Sequence, residues 1–309
     1  MEEVQKLSDQ ELRDALIEIG DNPGPVTCTT RSVYEKKLVK LLATKTECPQ
    51  STNTTPSGLP GIFSHVRKSG HYLLLIRHAE RPPLSTDAGF DLELTRAGYL
   101  ESVEYGKGIA KLGLKPGRLL SSPFKRCIQT LQGILEGARW PDCAMKTTPI
   151  LFGAKTILSD PRSAQTYGIK RGLVPLMNEY LSRPDPPPGH YPFPQGVAGF
   201  HSFLAKELAA GAAEGPGLSI AVSHDAFIWL LMCYHFGMKS TTREDWPGFL
   251  EGLLLWQENP AESSNPSGRA AATRSKIPQP PRIKVAYRDR VTTINPEDIE
   301  QDLSEGGQL

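Results

Sequence analysis

The tightest constraint in the sequence is the run His71-Tyr-Leu-Leu-Leu-Ile-Arg-His-Ala-Glu-Arg-Pro-Pro83. Tyr72 to Ile76 is an unbroken apolar stretch, short enough to be a strand buried on both faces. It ends in Arg77 and His78, and the two prolines that follow prevent it from continuing in register. Open α/β sheets bind ligands at the carboxyl ends of their strands, so this strand would deliver an imidazole and a guanidinium to such an edge.

The chain has 309 residues, enough for one large domain or two smaller ones. Its net charge of +1 gives no bulk electrostatic reason to expect nucleic acid as a direct partner. No run of 18 or more apolar residues is present, so no membrane span is expected. The N-terminus lacks the basic-then-apolar layout of a secretory signal. Five scattered cysteines, an odd count without a CxxC pair, fit a reducing compartment. The expected location is therefore soluble and intracellular, in nucleus or cytoplasm.

Residues 1–45 read as a helical module. Ser8 and Glu11 have the spacing of a capping box, and Leu12, Ala15, Leu16 and Ile19 follow at helical intervals. Asp21-Asn-Pro-Gly-Pro25 ends that helix. Thr30 is a good N-cap for a second helix with Val33, Tyr34, Leu38, Leu41 and Leu42 on one face. The blocks Leu7-Ser-Asp-Gln-Glu-Leu12, Gly24-Pro-Val-Thr27 and Thr30-Arg-Ser-Val-Tyr-Glu-Lys-Lys-Leu38 together resemble the LEM domain, a small module of nuclear-envelope and chromatin-associated proteins. That resemblance implies binding to barrier-to-autointegration factor through Gly24, Pro25, Val26, Thr30, Arg31, Tyr34, Lys37 and Leu38. A nuclear location follows from this module alone.

Residues 46–61 have almost no apolar content and read as a flexible linker. From residue 62 to 296 strand and helix signals alternate, the mark of an α/β domain. Helices are expected near residues 95–112, 124–135, 200–210 and 226–236. Further strands are expected at 118–120, 218–222 and 250–256, with an edge strand over 283–294. Residues 140–200 are rich in Pro and Gly and give no clear pattern. Residues 258–281 read as a loop insertion, and 297–309 as a solvated acidic tail.

Three times an apolar strand runs through polar residues into a helix. The polar points are Arg77-His78, Arg126 and His224-Asp225. If the three strands are parallel neighbours, these points converge, and helix N-termini add free N–H groups to a pocket suited to phosphate. At these residues the chain resembles the histidine phosphatase superfamily, which includes phosphoglycerate mutase. Arg77-His-Ala79 stands where that family has Arg-His-Gly, and the string through Arg81-Pro-Pro83 is similar to its acid-phosphatase version. Ser121-Ser-Pro-Phe-Lys-Arg-Cys-Ile-Gln-Thr130 and Val222-Ser-His-Asp225 resemble the blocks carrying the further Arg and the second His.

The resemblance implies a three-layer α/β/α domain with a mostly parallel sheet of the phosphoglycerate mutase-like type. It implies His78 as nucleophile, with Arg77, Arg81, Arg126 and His224 holding the phosphoryl group and no metal or other cofactor. Asp225 is the expected proton donor, and Glu80 a possible substitute that more naturally faces solvent. The function implied is phosphomonoester hydrolysis through a phosphohistidine. A phosphomutase, or an inactive scaffold that only grips a phosphorylated small molecule or protein, shares the same residues. Cys127 and Cys233, on apolar helix faces, read as core residues.

Overall fold

The computed structural model describes residues 8–18, 26–27, 30–46, 59–82, 89–140, 142–240, 242, 244–258 and 281–305. Gly24, Pro25, Cys28, Cys48, most of the expected linker and nearly all of the expected insertion lie outside these residues. The chain divides into two compact units, Met1–Thr52 and Asn53–Leu309.

Among the described residues the first unit contains two helices, α1 (Asp9–Glu18) and α2 (Arg31–Thr46). The capping box forms as its spacing requires: the Ser8 N–H donates to Glu11 Oε2 at 2.7 Å, and the Glu11 N–H to Ser8 Oγ at 3.2 Å. Leu12, Leu16 and Leu38 are buried and form the described core. Val33 is not part of that face: it is 61% exposed. Thr30 Oγ1 accepts from the N–H of Thr27 at 2.9 Å, bracing the entry to α2. Arg31 pairs with Asp9 on α1 and, at 2.8 Å, with Glu35 one turn along its own helix.

The second unit is built on a seven-stranded sheet ordered β3-β2-β4-β1-β5-β6-β7. Its strands are β1 (His71–Arg77), β2 (Pro116–Ser121), β3 (Met145–Thr147), β4 (Gly217–Ser223), β5 (Gly252–Gln257), β6 (Ile283–Tyr287) and β7 (Arg290–Ile294). The half from β3 to β1 is parallel, and β5, β6 and β7 continue it antiparallel. The segment 283–294 is a hairpin of two strands, turned at Arg288 in the left-handed region (φ 51°).

Helices cover both faces, because alternate strand residues point to opposite sides. Leu73 and Leu75 face α6 (Leu173–Ser182), α7 (Phe193–Glu214), α8 (Asp225–Phe236) and α9 (Pro296–Glu305). Tyr72, Leu74 and Ile76 face α3 (Arg96–Ala110) and α4 (Lys125–Ala138). Each fully buried Leu or Ile contributes about 1.5–3 kcal/mol, so β1 anchors both layers at once. None of the described helices is long and apolar enough to cross a membrane.

Two segments are more ordered than their composition suggests. Within residues 140–200, α5 (Pro161–Arg171) starts where the Asp160 carboxylate accepts from the N–H groups of Arg162 and Ser163, and Gly172, at φ 82°, separates it from α6. The acidic tail is not wholly solvated. Pro296–Glu305 is a helix whose Ile299 joins the core.

Helices α3 and α4 cross at glycines. A Cβ on Gly137 would overlap the carbonyl oxygen of Val103, and one on Gly106 that of Ile134. Because α4 carries Arg126, this crossing also sets the position of that guanidinium. Gly137→Ala is expected to push the helices apart and lower the melting temperature by roughly 5–10 °C, on the scale of a core overpacking cost of about 1–3 kcal/mol. A melting curve matching wild type would show that the crossing is not close-packed.

Candidate active site

The parallel register brings the three polar points together. Arg77 pairs with Ser223 across β1 and β4, and Ser121 with Val222 across β2 and β4. The backbone continues this beyond the strands: the His78 N–H donates to Ser223 O at 3.0 Å, and the Ser122 N–H to Val222 O at 2.9 Å. His78, Ser122 and His224 therefore leave adjacent strands at one level. The two imidazole rings lie 5.5 Å apart, nearly perpendicular.

His78 is 2% exposed. Its Nδ1 lies 2.8 Å from the carbonyl oxygen of Ala79. A carbonyl only accepts, so Nδ1 carries the proton and Nε2 keeps its lone pair. Burial, with the charges of Arg77 and Arg126 adding to it, pushes the His78 pKa down to about 3. The ring is thus neutral at neutral pH. The Ala79 N–H donates to Thr130 Oγ1 at 2.9 Å, and that hydroxyl donates to Arg126 O at 2.7 Å. Thr130 so ties the residue after His78 to the helix that bears Arg126.

His224 has both nitrogens engaged. Arg126 Nη2 donates to Nδ1 at 3.3 Å, so Nε2 bears the proton and donates to Ser122 Oγ at 2.9 Å. Burial, followed by His78 and Arg126, holds its pKa well below the ordinary value.

Three guanidinium groups gather around the imidazoles. Arg77 ion-pairs with Asp225 Oδ2 at 2.9 Å and donates to Pro247 O at 2.7 Å. Arg81 donates to Pro82 O at 2.8 Å, and burial together with Arg126 pushes its pKa down to about 10, still cationic at neutrality. Arg126 is 7% exposed. The Nε atoms of all three are buried without a hydrogen-bond partner. An unpaired buried donor costs about 1–3 kcal/mol, so three on neighbouring cations mark a place shaped for an acceptor. Three positive charges face one carboxylate, which leaves two uncompensated, the complement of a dianion.

Asp225 begins α8. Burial alone would raise its pKa, but Arg77, a hydrogen bond from Trp246 and the two imidazoles outweigh it and hold it at about 2. Asp225 is therefore a carboxylate at neutral pH. Glu80 is half-buried rather than open to solvent, and its Oε2 accepts from Thr95 Oγ1 at 2.8 Å. Cys127 is buried, with its thiol pKa pushed up to about 12 by burial, so it is not a nucleophile.

The six residues selected from the sequence for the phosphoryl site, Arg77, His78, Arg81, Arg126, His224 and Asp225, lie together in this cluster. Sequence reasoning missed Ser122 and Thr130 as positioning groups, although both lie in the quoted 121–130 block. It also missed Trp246, Pro247 and Phe249, which precede β5 and carry no motif. Phe249 lies 5.8 Å from the His78 ring and 4.2 Å from the Arg77 guanidinium.

The fold and site are those of an α/β domain with a paired-histidine, arginine-rich anion cradle. Comparison with known families gives the class. Residues 3–49 match the LEM domain and residues 73–151 the histidine phosphatase superfamily, branch 1. The chain carries a LEM domain at its N-terminus and a histidine phosphatase superfamily domain after it. The match is to branch 1, so the likeness to the acid-phosphatase version rests only on the residues quoted for it.

Mouse lamina-associated polypeptide 2, isoforms beta/delta/epsilon/gamma, is 52% identical over 50 residues, 16% of this chain and 11% of that protein. LEM protein 2 of Caenorhabditis elegans is 57% identical over 49 residues, 16% of this chain and 10% of its own length. The chain thus matches only about a tenth of the length of these relatives. Among solved structures, phosphoglycerate mutase from Bacillus anthracis aligns with a TM-score of 0.43 at 12% identity, covering 78% of this chain and 99% of that one. A mycobacterial glucosyl-3-phosphoglycerate phosphatase aligns with a TM-score of 0.40 at 15% identity, covering 60% and 90%.

With its lowered pKa and Nδ1–H held by Ala79, the His78 ring is expected to stay neutral and in one tautomer between pH 5 and 8. Nitrogen NMR of the ligand-free protein should place its proton on Nδ1 across that range. A titration midpoint near 6.5 would contradict the geometry.

Proposed function

We propose that the second domain hydrolyses phosphomonoesters through a phosphohistidine on His78. The observation that carries this reading is the buried imidazole with a bare Nε2 beside three cations whose Nε–H donors lack acceptors. The phosphatase-like domain match supports it.

In this mechanism the dianion binds with its oxygens on Arg77, Arg81 and Arg126. The His78 Nε2 lone pair attacks phosphorus, and the bond to the leaving oxygen breaks as that oxygen takes a proton. Water then attacks phosphorus and gives a proton back to the same acid. The P–N bond breaks with its electron pair returning to Nε2, which frees inorganic phosphate. The cradle opposes the charge that persists on the phosphoryl oxygens throughout.

Binding also resets two neighbours. The dianion draws Arg126 Nη2 away from His224, whose Nδ1 then takes a proton and becomes the fourth donor. It also weakens the hold of Arg77 on Asp225 and adds negative charge nearby, and both effects raise the Asp225 pKa from about 2 toward a value at which it can deliver a proton. Asp225 is the proposed acid, with Glu80 the competing donor.

Three variants test this. His78→Ala should abolish turnover of p-nitrophenyl phosphate and the acid-labile, base-stable phosphoenzyme trapped on rapid quenching. Loss of the acid should cost about 10²–10⁴-fold on an alkyl phosphate and far less on p-nitrophenyl phosphate, whose leaving group needs little protonation. Asp225→Asn is expected to give that pattern. If Glu80→Gln gives it instead, the donor is Glu80. No turnover of any ester by wild type would remove the enzymatic reading.

For the N-terminal domain we propose binding to barrier-to-autointegration factor, supported by the LEM match. Arg31 is a poor probe, since its pairing with Asp9 and Glu35 makes it part of the fold of this unit. Lys37, exposed on α2, is the probe used, with its melting curve recorded alongside. Lys37→Glu in the full chain should weaken capture of the factor at least several-fold at a temperature where the melting curve shows the variant folded. Undiminished capture would remove Lys37 from the interface, and no capture by wild type would remove the partner.

A further inference from the structure

Aromatic rings frame the two imidazoles. Phe249 stands beside His78 and stacks on Arg77. Phe124 lies 4.8 Å from the His224 ring, with the Arg126 guanidinium 4.4 Å from its own ring centre. Phe124 in turn stacks on Phe90 at 4.2 Å, and Phe152 meets both edge-on, at 5.8 Å from Phe90 and 5.5 Å from Phe124.

The rings at the two ends of this frame are open to solvent: Phe90 is 50% exposed and Phe249 39%. They are the two exposed phenylalanines among the described residues, and both are at this site. Large apolar rings left in water beside a charged cradle mark a binding surface more than a packing accident.

Their distance from the reacting centre defines what they meet. Phe249 and Phe124, with ring centres 5.8 Å from His78 and 4.8 Å from His224, are close enough to meet the group bonded directly to the ester oxygen, and Phe90 extends that surface through its stack on Phe124. A glycerol or sugar carbon skeleton would present hydroxyls there, to partners that are hydrocarbon. Lys125, next to Phe124, is ion-paired with Glu93. A second aromatic ring, in contrast, would gain offset-stacked or edge-on contacts on either side.

We propose that the ester accepted by this site is an aryl phosphate, its ring resting between Phe249 and the Phe90–Phe124 stack. The proposal builds on the reading of the cradle as a phosphoryl site and adds the class of leaving group.

Aryl esters are also intrinsically more reactive, so the test uses phosphonates, whose C–P bond is not hydrolysed. Calorimetric titration of the full chain with inorganic phosphate, ethylphosphonate, benzylphosphonate and cyclohexylmethylphosphonate separates the contributions. Benzylphosphonate is expected to bind roughly tenfold tighter than ethylphosphonate, the scale of one well-placed aromatic contact plus its buried area. The ratio of the two affinities, taken within each variant, should fall toward one in Phe90→Ala and Phe249→Ala and persist in Phe90→Tyr and Phe249→Tyr. Equal affinity for the benzyl and ethyl compounds, with phosphate still bound, overturns the aryl preference while leaving the cradle intact. Equal affinity for the benzyl and cyclohexylmethyl compounds overturns its aromatic character. If not even phosphate binds, the cradle reading fails and takes this inference with it.

Discussion

The parallel pairing of β1 with β4 is the constraint on which the rest depends. Its register places Arg77 opposite Ser223, so the chain leaves both strands at the same height with Arg-His on one and His-Asp on the other. A slip of one residue would turn every side chain of β1 to the opposite face, exposing Leu74 or Leu75 to the wrong layer. Because helices bury both faces, the register is held by apolar burial on two sides, and the geometry of the site inherits that stability. The Arg77–Asp225 ion pair then links the two strand ends directly, at 2.9 Å.

A cluster of three guanidinium groups is costly to bury. The protein offsets part of that cost locally. Carbonyl oxygens of Pro247, Pro82 and Gly89 accept from Arg77, Arg81 and Arg126, and the faces of Phe249 and Phe124 lie against Arg77 and Arg126. What is left unsatisfied is directional, namely the three Nε–H donors and an excess of positive charge. Such a site is held ready for an anion by the fold rather than assembled by the ligand, which is the arrangement electrostatic catalysis needs. The same charges, with burial, keep His78 neutral, so the cradle and the uncharged imidazole share one cause.

Much of this was legible from local sequence. The strand at 72–76, the capping box at Ser8 and Glu11, and the three strand–polar–helix junctions each encode their structure in neighbouring residues. Residues 140–200 were not legible, since α5 and α6 depend on the Asp160 cap and the Gly172 break inside a Pro/Gly-rich stretch that masks helical periodicity. Val33 was misassigned to the buried face of α2 because the apolar pattern there is too weak to distinguish two faces. Ile299 was invisible because a single apolar residue among acids has no periodicity to read.

Sequence alone determined which groups exist to do chemistry: two histidines, three arginines and an aspartate, all but Arg81 at a strand or helix end, because short-range hydrophobic patterning sets where strands stop. Only the tertiary structure decided that these ends meet, which nitrogen of His224 carries its proton, that Asp225 is a carboxylate bound to Arg77, and that Phe90 and Phe249 belong to the same aromatic surround. Those properties arise from strand order, register and burial. They are relations between residues far apart in the chain, and no local pattern carries them.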